Sequence, residues 1–361
     1  MNPTLNRYHR QWVAGHGAWG RPARALLHVA SWMYGLAVVG RMGLYRVGLL
    51  RRRRISTRVI SIGNLIAGGT GKTPFVIFLV QKLQDRGLRP AVVVRGYRGR
   101  REGKTVVVSD GETIRLRYPE VGDEAQLLAQ KLNGVPILMA ADRVKGCQAA
   151  IGRFDPDVIL LDDGFQHLRV ERDLDILLLD RENPFGYGYL LPRGFLREPM
   201  SALKRADLVV MTGVESPGDR SDDSGRLFRA RPVLHATYVP TVLTDMRTGE
   251  TVAWEDIHGQ QVVAFSGIAT PLNFERTLKS LGICPRDHVI FPDHHPYDAS
   301  DLIEISRRMG DVGATVVLTT EKDAVRLEKL APSFPILAVG AKLILTGGRE
   351  ELKRCLDALF P

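Results

Sequence analysis

Residues 59–74 have the sequence VISIGNLIAGGTGKTP, and this stretch decides the fold. Residues 59–62 form a short apolar run that predicts a buried strand, and residues 75–83 predict a helix after the turn. Glycines let a backbone curl so that its N–H groups point at phosphate oxygens, and a helix N-terminus adds partial positive charge. The stretch therefore predicts a phosphate-binding loop (P-loop) between a strand and a helix.

Individual residues of this loop have predicted roles. Lys72 is suited to reach the outer phosphates of a nucleotide, and the Thr73 hydroxyl is suited to hold Mg²⁺. We expect phosphate contacts from the loop and its flanks: Asn64, Ala67, Gly68, Gly69, Thr70, Gly71, Lys72, Thr73 and Pro74.

The glycine spacing departs from the standard P-loop pattern. That pattern has a glycine five residues before Gly71, where this chain has Ile66, and the extra glycines Gly68 and Gly69 come later. Late glycines of this kind resemble the loops of partition-type ATPases, which carry a lysine where this chain has Ala67. The alternative is a glycine-rich turn with an incidental Lys-Thr pair.

Length and cysteine usage bound the class of protein. A chain of 361 residues is long enough for two domains and a large core. Its three cysteines, Cys147, Cys284 and Cys355, are far apart and form no metal-ligand spacing. This usage favours a reducing, cytosolic setting with buried thiols.

Positive charge is concentrated at the N-terminus. Ten of the 50 basic residues lie in residues 1–54, which contain no acidic residue, so the rest of the chain balances 40 basic with 40 acidic residues. A body without net charge argues against nucleic-acid binding. The basic end predicts contact with an anionic surface.

An uncharged apolar run, residues 25–40, precedes Arg41, Arg46 and the arginines 51–54. As a helix it would be about 24 Å long, shorter than the roughly 30 Å hydrocarbon core of a bilayer. We expect a helix in a membrane face, with its arginines at anionic headgroups. The alternatives are a signal peptide, for which no cleavage site is evident, and a packed core helix.

Residues 157–163, DVILLDD, have the form of a Walker B strand, in which a buried apolar strand ends in carboxylates. In P-loop enzymes such a carboxylate holds Mg²⁺ beside the P-loop hydroxyl. We therefore expect Asp162 and Asp163 to form the metal site with Thr73.

From residue 58 onward, apolar strands alternate with helices, which predicts an α/β fold. We expect a P-loop NTPase-like, mostly parallel sheet with helices on both faces and ligands at the carboxyl ends of the strands. The expected parts are a basic membrane-associating helix (residues 1–54), a P-loop core (55–230) and a smaller C-terminal α/β lobe (231–361). Residues 105–108 and 113–116 predict a β-hairpin.

The residue types alone do not assign one role to several other polar residues. Asp123 and Glu124 start a predicted helix, where acidic residues commonly act as caps. His294 and His295 follow a predicted strand, and such a pair is commonly a surface pair. The basic residues 95–100 suit either a substrate phosphate or a solvated loop. The long loop at 183–199 suggests a function over a substrate.

The chain resembles the tetraacyldisaccharide 4′-kinases, the lipid A 4′-kinases of Gram-negative bacteria. The resemblance covers about residues 20–330 and depends on DDGFQH at 162–167 together with the late-glycine loop. Its carriers are GN at 63–64, GGTGKTP at 68–74, GDE at 122–124, DDGFQH at 162–167, RDLD at 172–175, LREP at 196–199, DHH at 293–295 and TEKDA at 320–324.

The resemblance implies an ATP- and Mg²⁺-dependent kinase that phosphorylates the 4′-hydroxyl of a tetraacyl glucosamine disaccharide 1-phosphate and gives lipid IVA. It implies two lobes that close over nucleotide and an enzyme at the cytosolic face of the inner membrane, with no obligate protein partner inferred. The family's catalytic Asp-His pair corresponds to Asp123 and His294, which act with Lys72. We expect substrate-contact or supporting roles for Tyr97, Arg143, Gln166, His167 and Glu198.

Two departures from the family pattern concern substrate contact. Arg193 stands where the family more often has a small residue, and Ala269-Thr270 replaces other polar residues. Two rival functions are a membrane-associated ATPase switch and a kinase for a soluble metabolite. The switch would need the lysine that Ala67 replaces, and the soluble-metabolite kinase would have no use for an apolar anchor.

Overall fold

A mixed sheet of thirteen strands runs through the part of the chain that the structure describes. The computed structural model describes residues 20–69, 71–215, 228, 231–330 and 332–361, so the predicted contact residue Thr70 lies outside it. The strands are β1 (Arg58–Asn64), β2 (Pro90–Val94), β3 (Val106–Ser109), β4 (Ile137–Met139), β5 (Val158–Asp162), β6 (Leu174–Asp180), β7 (Leu208–Thr212), β8 (Val233–Asp245), β9 (Thr251–Val252), β10 (Val262–Ser266), β11 (Asp287–Ile290), β12 (Val316–Thr320) and β13 (Ile336–Gly347). The helices are α1 (Gly20–Arg46), α2 (Lys72–Gln84), α3 (Asp123–Lys131), α4 (Arg143–Phe154), α5 (Pro271–Ser280), α6 (Ala299–Val312), α7 (Glu321–Leu327) and α8 (Arg349–Leu359).

The strand order is β11-β10-β12-β13-β8-β7-β6-β1-β5-β2-β4-β3, with β9 paired to β8. The pairings are parallel except for those of β13 with β8, β8 with β9, and β3 with β4. The predicted α/β fold with a mostly parallel sheet is therefore confirmed. The P-loop strand β1 lies between β5 and β6, so the carboxyl ends of these three strands meet at one edge.

Helices cover both faces of the first half of the sheet. Phe75 and Leu79 of α2, Leu128 of α3 and Leu356 of α8 belong to one hydrophobic cluster. On the opposite face, Cys147 of α4 packs among strand residues. Burying a side chain such as Phe75 or Leu79 contributes about 1.5–3 kcal/mol. This packing fixes the sheet edge on which the P-loop sits.

The predicted hairpin at residues 105–116 is wrong in its second arm. Only β3 is a strand; residue Ile114 makes one isolated bridge, to Ser109. The side chain of Asp110 accepts hydrogen bonds from the backbone N–H groups of Glu112 and Thr113, which holds a local turn in place of a second strand. β3 pairs instead with β4.

Two long antiparallel strands, β8 and β13, connect the two halves of the sheet. The start of β8 pairs with β7, and the start of β13 pairs with β12. Beyond them, β10, β11 and β12 form a smaller parallel unit with α5 and α6 on its two faces. The division of the chain near residue 231 stays a prediction, because one sheet runs through both halves.

Helix α1 is longer than the predicted apolar run. It has 27 residues, or about 40 Å of helix, and its segment from Pro22 to Arg46 is long and apolar enough to cross a membrane. Arg41 does not interrupt it, because arginine is a good helix former and its side chain reaches the carbonyl oxygen of Gln166 (3.2 Å).

Candidate active site

The P-loop joins β1 to α2 through conformations that glycine adopts without strain. Gly68 has φ of 128° and Gly71 has φ of 74°, and α2 begins immediately after Gly71. Lys72 and Thr73 therefore lie in the first helical turn, whose backbone N–H groups have no intrahelical acceptor. This arrangement suits an anion at the helix N-terminus.

Neighbouring segments hold the loop in place. Asn64 is fully buried and donates from Nδ2 to the carbonyl oxygen of Gly68 (3.2 Å). The backbone N–H of Ala67 donates to the carbonyl oxygen of Phe195 (2.7 Å), which ties the P-loop to the loop at 183–199. Asn64 thus supports the loop from beneath. Pro74 lies half-buried in the first turn of α2.

The second half of the sheet also contacts the P-loop. A Cβ atom on Gly71 would fall 1.4 Å from the Tyr238 hydroxyl oxygen, and one on Gly69 would fall 3.2 Å from the Ala269 Cβ. Tyr238 belongs to β8 and Ala269 follows β10. Glycine at these positions therefore allows strand β8 and the turn after β10 to approach the loop closely.

Asp162 ends β5 beside the P-loop strand, in register with Ile62 of β1. Its side chain is 3% exposed, and its buried Oδ1 has no hydrogen-bond partner among the described residues. Burial, followed by the negative charge of Glu124, raises the pKa of Asp162 to about 7. The ionised carboxylate of Asp162 is disfavoured in these surroundings, and a bound cation would stabilise it.

Asp163 has the opposite surroundings. Arg197 Nη1 donates to both of its carboxylate oxygens (3.0 and 2.8 Å), and Lys72 Nζ lies 3.4 Å from Oδ1. Burial would raise the pKa of Asp163, but the charges of Lys72 and Arg197 outweigh it and hold that pKa below its usual range. The two adjacent aspartates are therefore electrostatically different.

Asp123 and His294 are in direct contact. Asp123 is the first residue of α3 and is 2% exposed, and its Oδ1 and Oδ2 lie 3.0 and 2.9 Å from His294 Nδ1. His294 has φ of 56° in the turn after β11, where its backbone N–H donates to the carbonyl oxygen of Gly267 (3.0 Å). The structure thus brings together two residues that the resemblance assigned to one pair.

The charges around Asp123 keep it ionised. Burial would raise its pKa, but Lys322, His294 and Arg326 outweigh burial and hold the pKa of Asp123 below its usual range. A cavity of about 280 Å³ opens beside the carboxylate; its lining residues are Tyr97, Arg98, Tyr118, Asp123, His294, Pro296 and Arg326. A hydroxyl group could enter this cavity and meet the carboxylate.

Tyr97 and Arg143, two of the predicted supporting residues, differ in access. Tyr97 is 44% exposed, and its ring packs edge-on against His294 with 5.4 Å between centroids. Arg143 is 2% exposed and donates to the carbonyl oxygens of Ala140 (2.6 Å) and Asp162 (2.9 Å). Tyr97 can therefore reach a ligand, whereas Arg143 supports the end of β5.

Three other predicted residues lie behind the aspartates. Gln166 Nε2 donates to the carbonyl oxygen of Asn64 (2.9 Å), and Glu198 is buried against Arg205. Burial, followed by the charge of Arg143, lowers the pKa of His167 to about 3, so His167 is neutral. These contacts stabilise the segments that carry Asp162 and the P-loop.

Sequence reasoning gave no role to three basic residues of this region. Arg197 binds Asp163, Lys322 Nζ lies 3.2 Å from His294 Nε2, and Arg326 Nε lies 3.4 Å from Asp123 Oδ2. A signal was present for Arg197 and Lys322, which lie in the recognised motifs LREP and TEKDA, whereas Arg326 lies outside both. Their partners are distant in sequence, so spacing alone could not assign these contacts.

Helix α1 borders the same region with one face and is exposed on the other. Ser31 Oγ and Tyr34 Oη donate to the carbonyl oxygens of Leu190 and Arg197, each at 2.8 Å. The outer face carries exposed apolar side chains: Leu26, Val29, Trp32, Met33, Leu36 and Val39. The helix therefore presents an apolar stripe to its surroundings close to the candidate site.

A comparison with known protein families identifies this architecture. The model of the family Tetraacyldisaccharide-1-P 4′-kinase matches residues 23–360. The chain belongs to this family. A tetraacyldisaccharide 4′-kinase of Syntrophus aciditrophicus is 44% identical over 324 residues, which cover 86% of this chain and 87% of that one. One of Anaeromyxobacter dehalogenans is 40% identical over 352 residues, covering 96% and 92%.

A solved tetraacyldisaccharide 4′-kinase has the same fold. The LpxK of Aquifex aeolicus, crystallised in complex with ATP, is 31% identical to this chain, with a TM-score of 0.76. The match covers 94% of this chain and all of that one. The resemblance found in the motifs is therefore confirmed, and the chain is a kinase.

Proposed function

We propose that this kinase transfers the γ-phosphoryl group of ATP to the 4′-hydroxyl of a tetraacyl glucosamine disaccharide 1-phosphate, giving lipid IVA in lipid A biosynthesis. Membership of the 4′-kinase family supports the reaction. The observation that carries its mechanism is the contact between Asp123 and His294 (2.9 Å) next to an accessible cavity.

The P-loop is the proposed nucleotide site. Lys72 now pairs with Asp163 at 3.4 Å and is 12% exposed, so it can exchange that carboxylate for phosphate oxygens. The backbone N–H groups at the start of α2 supply further donors. The LpxK of Aquifex aeolicus, which shares this fold, was crystallised in complex with ATP. This supports ATP as the phosphoryl donor.

The residues present fit Mg²⁺. Asp162 has a buried carboxylate oxygen without a hydrogen-bond partner among the described residues, and burial and the charge of Glu124 raise its pKa, so a cation beside it would stabilise the carboxylate. In the described ranges, no group of three or more His, Cys, Asp or Glu residues could hold a metal, which suits an ion that also needs phosphate and water ligands. We propose Asp162 and Thr73 as its ligands, with Asp163 orienting Lys72. When bound, Mg²⁺ would neutralise charge on the transferred phosphoryl group.

Asp123 is the proposed base. Its ionised carboxylate accepts the proton of the 4′-hydroxyl as the hydroxyl oxygen forms a bond to the γ-phosphorus and the bond to the ADP oxygen breaks. His294 orients the carboxylate through Nδ1. A positioned base of this kind contributes about 10²–10⁴-fold to the rate.

We propose that α1 brings the enzyme to its lipid substrate at the cytoplasmic face of the inner membrane. Its apolar stripe includes Trp32 and Leu36, which are 69% and 57% exposed. The arginines 51–54 follow the helix directly, where they can meet anionic headgroups. Of the residues predicted to have supporting roles, Tyr97 is the one that we propose contacts the sugar, because it lines the cavity and is exposed.

The reaction is tested by ATP turnover with purified full-length enzyme, measured with the lipid disaccharide, with a de-acylated disaccharide and without acceptor. Of the three conditions, we expect ATP turnover and a 4′-phosphorylated product only when the lipid disaccharide is present. Turnover that is unchanged without acceptor would favour an ATPase switch. Equal turnover with the de-acylated sugar would favour a kinase for a soluble metabolite.

A further inference from the structure

Lys322 carries a partly buried amine next to the proposed catalytic pair. It lies in the first turn of α7, and its Nζ is 3.0 Å from Glu124 Oε1, 3.2 Å from His294 Nε2 and 3.9 Å from Asp293 Oδ1. Its side chain is 21% exposed. The mechanism above gives it no role, although it contacts the ring nitrogen of His294 that Asp123 leaves free.

The chemistry of the two nitrogens restricts the histidine. A lysine ammonium group has three N–H donors and no acceptor, so the imidazole nitrogen facing it must offer a lone pair. His294 Nε2 is then unprotonated, and the ring proton resides on Nδ1, which faces the Asp123 carboxylate. Protonating Nε2 would instead set two cations 3.2 Å apart.

The surrounding charges agree with this assignment. Arg326 faces Asp123, while Arg98 donates to the carbonyl oxygens of Asp293 and His294. The other groups facing the pair are Asp293, Glu124 and the rings of Tyr97 and Tyr118. Burial would lower the pKa of Lys322, but Glu124, Asp123 and Asp293 outweigh it and raise that pKa above its usual range. Lys322 is thus a permanent cation at the edge of the pair.

We propose that Lys322 is the positioning residue that sets the protonation state of the catalytic pair, keeping His294 as the neutral Nδ1–H tautomer and Asp123 as a carboxylate. This proposal rests on the proposed function, since it assigns how that base is kept ready. Lys322 acts through His294 and does not itself touch the reacting atoms.

The contact also joins the two halves of the sheet. Lys322 and His294 belong to the second half, and Glu124 and Asp123 belong to α3 of the first half. Glu124 of α3 holds the Lys322 ammonium group that contacts His294 Nε2. The contacts that fix the tautomer therefore come from both halves of the sheet.

The test compares Lys322→Met, which removes the charge, with Lys322→Arg, which keeps it. We expect Lys322→Met to lower kcat about tenfold or more near neutral pH. It should also move the acidic limb of the kcat profile upward by about one pH unit, because the Lys322 charge that lowers the pKa of the Asp123 carboxyl is gone. Lys322→Arg, which keeps the positive charge, should show the acidic limb of the kcat profile at its wild-type pH. ¹⁵N-resolved NMR of His294 should show a proton on Nδ1 and none on Nε2 in the wild type, and a proton on Nε2 in Lys322→Met.

Two controls separate this role from a structural one. Lys131 of α3 pairs with Glu321 of α7 across the same interface without contacting the catalytic pair, so Lys131→Met should keep the wild-type profile. The double variant Lys322→Met/Glu124→Gln removes the unpaired carboxylate and should retain the shifted limb. All variants are first checked for cooperative melting and nucleotide binding.

The proposal is overturned if Lys322→Met keeps the wild-type acidic limb, if Lys131→Met shifts the limb equally, or if NMR shows His294 with its proton on Nε2 in the wild type. The NMR measurement needs no acceptor substrate. It therefore still tests Lys322 if the wild-type enzyme fails to phosphorylate the lipid disaccharide.

Discussion

Asp123 Oδ2 and His294 Nδ1 lie 2.9 Å apart, although 171 residues separate them in the chain. Asp123 belongs to the helix that packs on the P-loop half of the sheet, and His294 belongs to the half beyond β8 and β13. The proposed catalytic pair is therefore assembled from both halves, and neither half contains it alone.

Removing either member of this pair should abolish most turnover. We expect Asp123→Ala and His294→Ala to lower kcat by about 10²–10⁴-fold while ATP binding stays intact, because no described P-loop residue hydrogen-bonds to either side chain. Steady-state kinetics with the lipid disaccharide and ATP-binding calorimetry check this. The control is His295→Ala: His295 pairs with Asp301 (2.8 Å), so this variant should keep near wild-type kcat. A near wild-type rate in Asp123→Ala would refute the assignment of the base.

The two adjacent aspartates should respond oppositely to neutralisation. The folded-state pKa of Asp162 is raised, so the folded protein binds this proton more tightly than the unfolded chain does, and the free energy of unfolding falls as pH rises toward about 7. At pH 8 without Mg²⁺, Asp162→Asn should therefore raise Tm by a few degrees, on the order of 1 kcal/mol. This gain should largely vanish near pH 4, where the folded-state carboxyl is protonated.

Asp163 is the matched comparison. Its folded-state pKa is lowered, so its ion pairs contribute stability above the unfolded pKa and lose it as pH falls. Asp163→Asn should lower Tm at pH 8. Thermal melts of both variants at pH 8 and pH 4 test these two predictions. A lower Tm of Asp162→Asn at pH 8 would contradict the inference that the ionised Asp162 carboxylate destabilises the fold. Both variants should lose kinase activity.

Gly71→Ala should abolish ATP binding. The new methyl group would fall 1.4 Å from the Tyr238 hydroxyl oxygen at a φ of 74°, so the P-loop must move. Gly87 is the control, because its φ of 77° is equally unusual but no atom lies within 4 Å of the added carbon. Gly87→Ala should cost about 1 kcal/mol of stability and leave ATP affinity unchanged in calorimetry. Equal loss of affinity in both variants would mean that strain alone, and no contact with Tyr238, governs the loop.

Charging the outer face of α1 should release the enzyme from membranes. Trp32→Lys/Leu36→Lys removes two exposed apolar side chains and should lower binding to vesicles of anionic lipid at least tenfold in flotation assays. The comparison is Ile303→Lys on α6, an isoleucine that is 70% exposed away from α1. Unchanged vesicle binding by the double variant would remove α1 from the proposed membrane contact.

Local rules predicted most of the first half of the fold. The apolar runs of β1, β5 and β6 are continuous because these strands are covered on both faces, and such runs are easily recognised. The P-loop helix was predicted to begin at residue 75, but it begins at Lys72, since a helix continues through Pro74 when proline lies in its first turn.

The connecting strands β8 and β13 were not predicted. β8 contains Pro240 and is only partly buried, so it lacks the apolar run that marks the central strands. Its pairing with β13 spans about a hundred residues of sequence, which no local pattern specifies. For the same reason the contacts of Arg197 and Lys322 were missed, whereas the family motifs assigned Asp123 and His294 to one pair, and the structure places them in contact.

The last helix has a consequence for biosynthesis. Leu352 and Leu356 of α8 complete the hydrophobic cluster around Phe75 and Ile60, residues made almost three hundred positions earlier. On the ribosome, the nucleotide-binding half must therefore keep an open apolar face until α8 emerges. Nascent chains of this kinase should depend on chaperone protection until α8 can pack on that face.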